Sequence, residues 1–138
     1  MPFSRATGQN PVMLVLCSEN YAAASLVARC EPAIVFQSLG GARDPADQAM
    51  RATFAYAIMN HRVHDVVVCG HEGCHATARW ELDSERPPYA VVVSQCVALR
   101  RDDYIGSLLR DHDIALHATW FDRFDVEHPV KLADMDLQ

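Results

Sequence analysis

Residues 64–74, HDVVVCGHEGC, join an apolar run of strand length to a His-x-x-Cys motif. A similar run, VMLVLC at residues 12–17, ends in Cys17. Continuous apolar runs of this length are typical of strands buried on both faces of a parallel sheet. Ligands in such sheets collect at the carboxyl ends of the strands. We therefore expect Cys17 and His71 to lie at the same edge of one sheet.

Helical and strand patterns alternate between these two runs. The segment 19–30 is rich in Ala and Leu and predicts a helix, whereas AIVFQSLGG at 33–41 predicts a strand that runs into a glycine turn. A second helix is expected over 48–62, capped by Asp44 or Asp47. Alternation of this kind predicts right-handed crossovers and a parallel sheet. The helically spaced apolar residues of the second helix should belong to the core: Met50, Phe54, Ala57 and Ile58.

The second half of the chain gives weaker signals. Residues 75–83 predict a short helix. Residues 91–93 are three valines that suit a strand, but the sequence over 94–112 has the composition of helices, and we favour helix from about Ser94. IALHATWFD at 114–122 alternates apolar with other residues and predicts an edge strand. The predicted fold class is α/β, a mainly parallel β-sheet flanked by helices with an edge strand near the C-terminus.

Composition limits the class of protein further. A chain of 138 residues, half of them apolar, can bury one sizeable core, so we expect a single domain over residues 1–138. A net charge of -6 without a cluster of Lys or Arg argues against nucleic acid and acidic membranes, and favours a small molecule as partner. The sequence has neither an apolar stretch of roughly 20 residues nor an apolar signal core. No membrane span is therefore expected, and the cytoplasm is the default location.

The candidate metal-binding residues are two of the cysteines and one histidine. Five cysteines without regular spacing favour reduced thiols over a disulfide framework. Cys17, His71 and Cys74 offer thiolate sulfur and imidazole nitrogen, which suit zinc, and three protein ligands leave a fourth tetrahedral position open, as in catalytic sites. Two alternatives stay open: buried thiols beside a hydrogen-bonded turn histidine, or Cys17 as a nucleophile activated by His71. The other cysteines are expected to be small buried residues: Cys30, Cys69 and Cys96.

Several motifs occur together in the order found in one enzyme family. CSENY at 17–21 corresponds to a Cys-x-Asp-x-Arg motif, and GHEGC at 70–74 corresponds to Gly-His-x-x-Cys. Over about residues 9–132 the chain resembles a small β-class carbonic anhydrase. Further matching pieces are Gln9 with Pro11, SLGGARD at 38–44, Tyr56 within FAYAIMNHR, and LHATWFD at 116–122.

The resemblance implies a zinc enzyme that reversibly hydrates carbon dioxide to bicarbonate by means of zinc-bound hydroxide. It implies that Cys17, His71 and Cys74 are the zinc ligands, and that Gln9 and Tyr56 bind substrate near a dimer seam. A homodimer or a higher homo-oligomer is therefore expected. A relative of carbon dioxide, such as carbonyl sulfide or a cyanate-derived carbon, stays open as the substrate.

Two residues depart from the family pattern. The family has an Asp and an Arg whose salt bridge keeps the carboxylate away from the metal, whereas this chain has Glu19 and Tyr21. Glu19 is the candidate catalytic residue, but it has the reach to ligate zinc, and we hypothesise a resting site closed by this carboxylate. The alternative function is therefore a catalytically impaired homologue with a structural or anion-binding role. Alternatively, Glu19 has no role at the metal and is an exposed carboxylate at a helix N-terminus, where the helix dipole favours negative charge.

A third departure follows the second candidate cysteine. His75 stands where the family has a glycine. Histidine titrates near neutral pH, so His75 could shuttle protons, or it could crowd the close backbone approach that the glycine allows. On balance the sequence favours a carbonate dehydratase, a zinc lyase, over the impaired homologue.

Overall fold

A central β-sheet organises the computed structural model, which describes residues 10–20, 23–74 and 88–132. Its strands lie in the order β2-β1-β3-β4-β5, defined as β1 (Val12–Cys17), β2 (Ala33–Ser38), β3 (Asp65–His71), β4 (Ala115–Phe121) and β5 (Glu127–Val130). The pairs β1 with β2, β1 with β3, and β3 with β4 are parallel, and β5 runs antiparallel to β4. The predicted fold class, a mainly parallel sheet flanked by helices with an edge strand near the C-terminus, is confirmed.

The prediction that 114–122 forms the edge strand is wrong in its position. The strand exists as β4, but β5 lies outside it and forms the edge. The alternating sequence of β4 has another cause, because its half-buried polar and aromatic side chains have partners. His117 pairs with Asp65 of β3 at 2.8 Å, and the ring of Trp120 stacks on His128 of β5 with a centroid distance of 4.4 Å. Strand β5 was missed because it has only four residues and contains Pro129.

Helices cover the sheet, and we number them α1 (Ala24–Arg29), α2 (Gln48–Ala55), α3 (Pro88–Arg101) and α4 (Asp103–Asp111). Helix α1 is therefore shorter than the helix that the sequence predicts over 19–30. The helix expected over 48–62 begins with the predicted Asp47 cap, which accepts from the Met50 N–H at 2.9 Å, but it changes to a π-helical turn at Tyr56–Asn60. In the described ranges, no helix is both long enough and apolar enough to cross a membrane. The helix predicted over 75–83 lies outside these ranges.

Helix α3 begins earlier than expected. It starts at Pro88 rather than near Ser94, so the three valines at 91–93 are helical. Proline is tolerated in the first turn of a helix. Val92 is fully buried against strand β3, and this tertiary packing outweighs the preference of valine for strands.

The core lies on both faces of the sheet. One cluster joins residues such as Met13 and Val66 to helices α2, α3 and α4, and the other joins residues such as Leu14 and Val67 to Leu26 of α1. Alternate residues of β1 and β3 therefore face opposite layers, as expected for strands buried on both sides. The predicted core residues and the three remaining cysteines are all buried: Met50, Phe54, Ala57, Ile58, Cys30, Cys69 and Cys96.

Candidate metal centre

Neighbouring strands bring the three predicted ligands together. Cys17 ends β1, His71 ends β3, and Cys74 follows His71 after a turn. Because β1 and β3 are adjacent and parallel, their carboxyl ends meet at one edge of the sheet. The two sulfur atoms lie 3.6 Å apart, and the three donor atoms all lie within 4.8 Å of one another.

The spacing of the sulfur atoms suits a tetrahedral zinc ion. Zinc to sulfur bonds of about 2.3 Å at tetrahedral angles place two thiolates roughly 3.8 Å apart. The observed separation of Cys17 Sγ from Cys74 Sγ, 3.6 Å, is close to that value. Both cysteines are buried, with 2% and 6% of their surface exposed. Two soft sulfur donors and one imidazole therefore fit zinc in both type and placement.

The imidazole of His71 is oriented as a metal ligand. Its Nδ1 lies 3.2 Å from the carbonyl oxygen of Glu72. A carbonyl only accepts, so Nδ1 carries the proton and Nε2 keeps a free lone pair. Nε2 is buried and has no hydrogen-bond partner among the residues that the structure describes. A buried nitrogen without a partner is costly, and a metal ion in the cluster would satisfy it.

The electrostatic interactions within the cluster also favour a bound cation. The neighbouring Cys74 side chain and burial raise the pKa of Cys17, although the N–H groups of Glu19 and Gly40 act in the opposite direction. Cys74 is also the main cause that raises the pKa of His71, against burial, which lowers it. Two adjacent thiolates repel each other unless a positive charge lies between them. A divalent ion would supply that charge.

Cys17 receives backbone hydrogen bonds from two loops. The N–H of Gly40, in the loop after β2, donates to Sγ at 3.3 Å. The N–H of Glu19 donates at 3.5 Å. Hydrogen bonds of this kind stabilise thiolate charge.

Gly70 allows helix α3 to approach the end of β3. A Cβ atom at residue 70 would lie 2.3 Å from Cγ2 of Val92, which is far below contact distance. The glycine before His71 is therefore required by packing between the helix and the strand. This requirement explains the glycine of the Gly-His-x-x-Cys motif in the present chain.

The loop between His71 and Cys74 is tied to the end of β4, the strand next to β3. Glu72 is exposed, and its carboxylate accepts from the Arg123 N–H at 2.9 Å. The Glu72 N–H donates to the Phe121 carbonyl at 2.8 Å. These two bonds hold the loop against the end of β4.

Two buried amides near the site were not identified from the sequence. Asn20 donates from Nδ2 to Cys69 Sγ at 3.2 Å and to the Gly70 carbonyl at 3.4 Å, which ties the loop after β1 to β3. Gln95 of α3 donates to the Gly40 carbonyl at 2.9 Å. Asn20 lies within the first motif, but no local pattern marks Gln95.

The other predicted site residues lie outside the cluster or outside the described ranges. Within those ranges the cluster contains three residues, and Glu19 is not one of them, although its charge contributes to the raised pKa of His71. Ligation of zinc by Glu19 stays a prediction. Tyr56 is 50% exposed at the start of the π-helical turn, where its ring meets His61 edge-on at 4.6 Å. Residues beyond the description include Gln9, Tyr21 and His75.

The fold and the cluster together define an α/β protein with a candidate metal-binding site at the carboxyl ends of parallel strands. A family model described as carbonic anhydrase matches residues 12–89, more than half of the chain. The chain therefore belongs to the carbonic anhydrase family. No curated protein sequence matches it significantly.

Solved structures of β-carbonic anhydrases share the fold. Wild-type CafD from Aspergillus fumigatus has a TM-score of 0.69 and 21% identity, covering 95% of this chain and 94% of that one. The enzyme from Coccomyxa, solved in complex with acetazolamide, has a TM-score of 0.68 and 12% identity over 88% of this chain and 72% of that one. A tetrameric enzyme from Sordaria macrospora has a TM-score of 0.62 and 16% identity, covering 89% and 82%. The fold prediction based on family resemblance is thereby confirmed.

Proposed function

We propose that this protein is a zinc lyase that interconverts carbon dioxide and bicarbonate. Its membership of the carbonic anhydrase family supports the reaction class. The observation that carries the proposal is the buried cluster of Cys17, His71 and Cys74, in which Nε2 of the histidine has no partner in the described structure. The resemblance to β-class enzymes favours carbon dioxide over related small electrophiles.

Three side chains of the protein would hold the metal, and the two thiolates among them would offset its charge. Zinc bound here would lower the pKa of a water molecule and supply a nucleophile near neutral pH. Cys17 and Cys74 would bind as thiolates and His71 through Nε2, and three ligands leave one tetrahedral position for chemistry. The Gly40 N–H and the Glu72 carbonyl hold the first sulfur and the imidazole in place.

Glu19 is proposed as the carboxylate that accepts a proton beside the open position. It follows Cys17 by two residues and is half-buried, and its charge acts on His71. We expect Glu19→Gln to lower turnover on the order of 10²-fold, the usual scale for a lost acid or base. If Glu19 instead closed the site by ligating zinc, the same substitution would raise turnover. Stopped-flow hydration of carbon dioxide separates these outcomes.

An oligomer is proposed as the active form. Tyr56 and Met59 lie on the π-helical turn and are 50% and 62% exposed, which suits coverage by a second subunit. The related enzyme from Sordaria macrospora is tetrameric. On this proposal Tyr56 and Gln9 lie near the substrate at the subunit seam.

The test combines zinc content with turnover. We expect about one zinc per chain and hydration that rises between neutral pH and about pH 9. Cys74→Ala should lose both zinc and turnover, whereas Cys96→Ala, which also removes a buried thiol, should keep both. A fully loaded protein without turnover at any pH in this range would reject the lyase.

A further inference from the structure

We propose that Gln95 of helix α3 is a positioning residue for the metal centre. It acts through Gly40, whose N–H it aims at the sulfur of Cys17. The inference rests on the proposed zinc site and extends it to a residue far away in the sequence.

Two hydrogen bonds connect the helix to the ligand. Nε2 of Gln95 donates to the Gly40 carbonyl oxygen at 2.9 Å. The Gly40 N–H donates to Cys17 Sγ at 3.3 Å. The amide of Gln95 is buried, with 9% exposure, and its donor faces an oxygen that can only accept, so its orientation is fixed.

The loop that carries Gly40 needs an external support. Gly40 and Gly41 have φ values of 88° and 67°, a conformation that suits glycine and leaves the backbone more freedom than other residues would. The loop follows β2, which is paired on one side only. Its own turn is closed by the bond from the Gly41 N–H to the Ser38 carbonyl at 2.9 Å. Gln95 binds the carbonyl of that same Gly40–Gly41 peptide group. The N–H that faces the sulfur lies on the preceding peptide group, which is joined to it through the Gly40 Cα, so fixing the carbonyl restrains the direction of that N–H.

The direction of the Gly40 N–H matters for the sulfur of Cys17. This N–H and that of Glu19 both donate to Sγ, at 3.3 and 3.5 Å. If the loop turned away, the thiolate would lose the shorter of these two bonds. Partners in the second layer around a metal typically change affinity or activity by 10–100-fold, so we expect an effect of about that size.

The experiment compares substitutions at two adjacent buried positions of helix α3. Gln95→Met keeps the length of the side chain but removes the donor. Cys96→Ala is the matched control, because Cys96 is also buried and belongs to the apolar core. Zinc affinity is measured by competition with a chromophoric chelator, and hydrogen exchange of the Gly40 amide is measured by NMR on the metal-free protein.

We expect Gln95→Met to bind zinc about 10–100-fold more weakly and to exchange the Gly40 amide faster, whereas Cys96→Ala resembles the wild type. Gln95→Asn keeps an amide that is too short to reach Gly40, so it should also weaken zinc binding and provides a second variant if methionine prevents folding.

The outcomes separate this inference from the proposed function. Wild-type zinc affinity and Gly40 exchange in the Gln95 variants would overturn the positioning role and leave the zinc site intact. An equal loss of affinity in Cys96→Ala would also overturn it, because packing alone would then be the cause. A wild-type protein that does not bind zinc would overturn both proposals.

Discussion

A methyl group at residue 70 would collide with Val92, so this position offers a test of packing beside the site. Valine is stiff and sits in the core, so the clash cannot be relieved by a simple rotation. We expect Gly70→Ala to lower the free energy of unfolding by about 1–3 kcal/mol, the usual cost of overpacking. Urea unfolding monitored by circular dichroism measures this loss.

A double substitution provides the control for this packing effect. Val92→Ala alone should destabilise by leaving a cavity. In Gly70→Ala/Val92→Ala the added methyl fills part of that space, so the double variant should be more stable than the sum of the two losses predicts. Simple additivity would contradict the proposed contact.

At the residue scale, the sequence was sufficient to predict the metal-binding cluster but not the residues that hold its ligands in place. Cys17 and His71 end apolar runs, and adjacent parallel strands bring such ends together, so their proximity follows from local patterns. The role of Gln95 depends on where α3 crosses the loop after β2, and a single glutamine in a helix carries no signal of that crossing.

At the level of single elements, the start of helix α4 depends on Asp102. Its carboxylate accepts from the N–H groups of Tyr104 and Ile105 at 3.1 and 2.8 Å, and it pairs with Arg51 at 3.0 Å. We expect Asp102→Ala to cost about 1–2 kcal/mol of stability, since a helix cap is lost. Thermal unfolding measures the change.

The neighbouring carboxylate is the matched control for the cap. Asp103 is exposed in the first turn of α4. Asp103→Ala should have a smaller effect, because a charge near a helix N-terminus contributes only about 0.3–1 kcal/mol. Equal losses in the two variants would argue against capping by Asp102.

The turn between β4 and β5 should make stability depend on pH. The His128 side chain and the N–H groups of Val126 and Phe124 lower the pKa of Asp122. A lowered pKa in the folded state means that Asp122 stabilises the protein above its unfolded pKa of about 3.9, and that this contribution is lost as pH falls through the folded pKa. Asp122→Asn should therefore lower the melting temperature at neutral pH, and by less in acid.

Asp125→Asn is the control in the same turn. Asp125 is exposed at φ 62°, a conformation that asparagine tolerates well. The melting temperature of the Asp125→Asn variant should follow that of the wild type across the pH range. A loss in Asp122→Asn that is independent of pH would show that the carboxylate charge is not the stabilising feature.

Among the helices and strands, those with long apolar runs were predictable from the sequence. Short elements, and elements whose structure depends on tertiary contacts, were not. Strands β1 and β3 have the composition of buried strands, and Asp47 is a recognisable cap. The valines at 91–93 favour a strand locally, but contacts with β3 make them helical, which no local pattern indicates. The π-helical turn was missed because its sequence continues the helical period of α2.

At the scale of the whole molecule, bound zinc should act as a link between β1 and β3. A ligand that binds only the folded state at 100 times its dissociation constant adds about 2.7 kcal/mol of stability. We expect the melting temperature to fall when zinc is removed by a chelator and to recover when zinc is added. Differential scanning calorimetry measures both changes, and Cys74→Ala should show neither.

The residues that hold the candidate metal ligands in place are synthesised after the ligands themselves. All three candidate ligands are translated by residue 74, whereas Gln95, strand β4 and Arg123 come later. A nascent chain therefore emerges from the ribosome with its thiols in place but without the structure that holds them. During that interval the cysteines are open to oxidation and to capture of other thiophilic metals. If the cluster is a zinc site as proposed, selective loading with zinc would be a task for the completed fold.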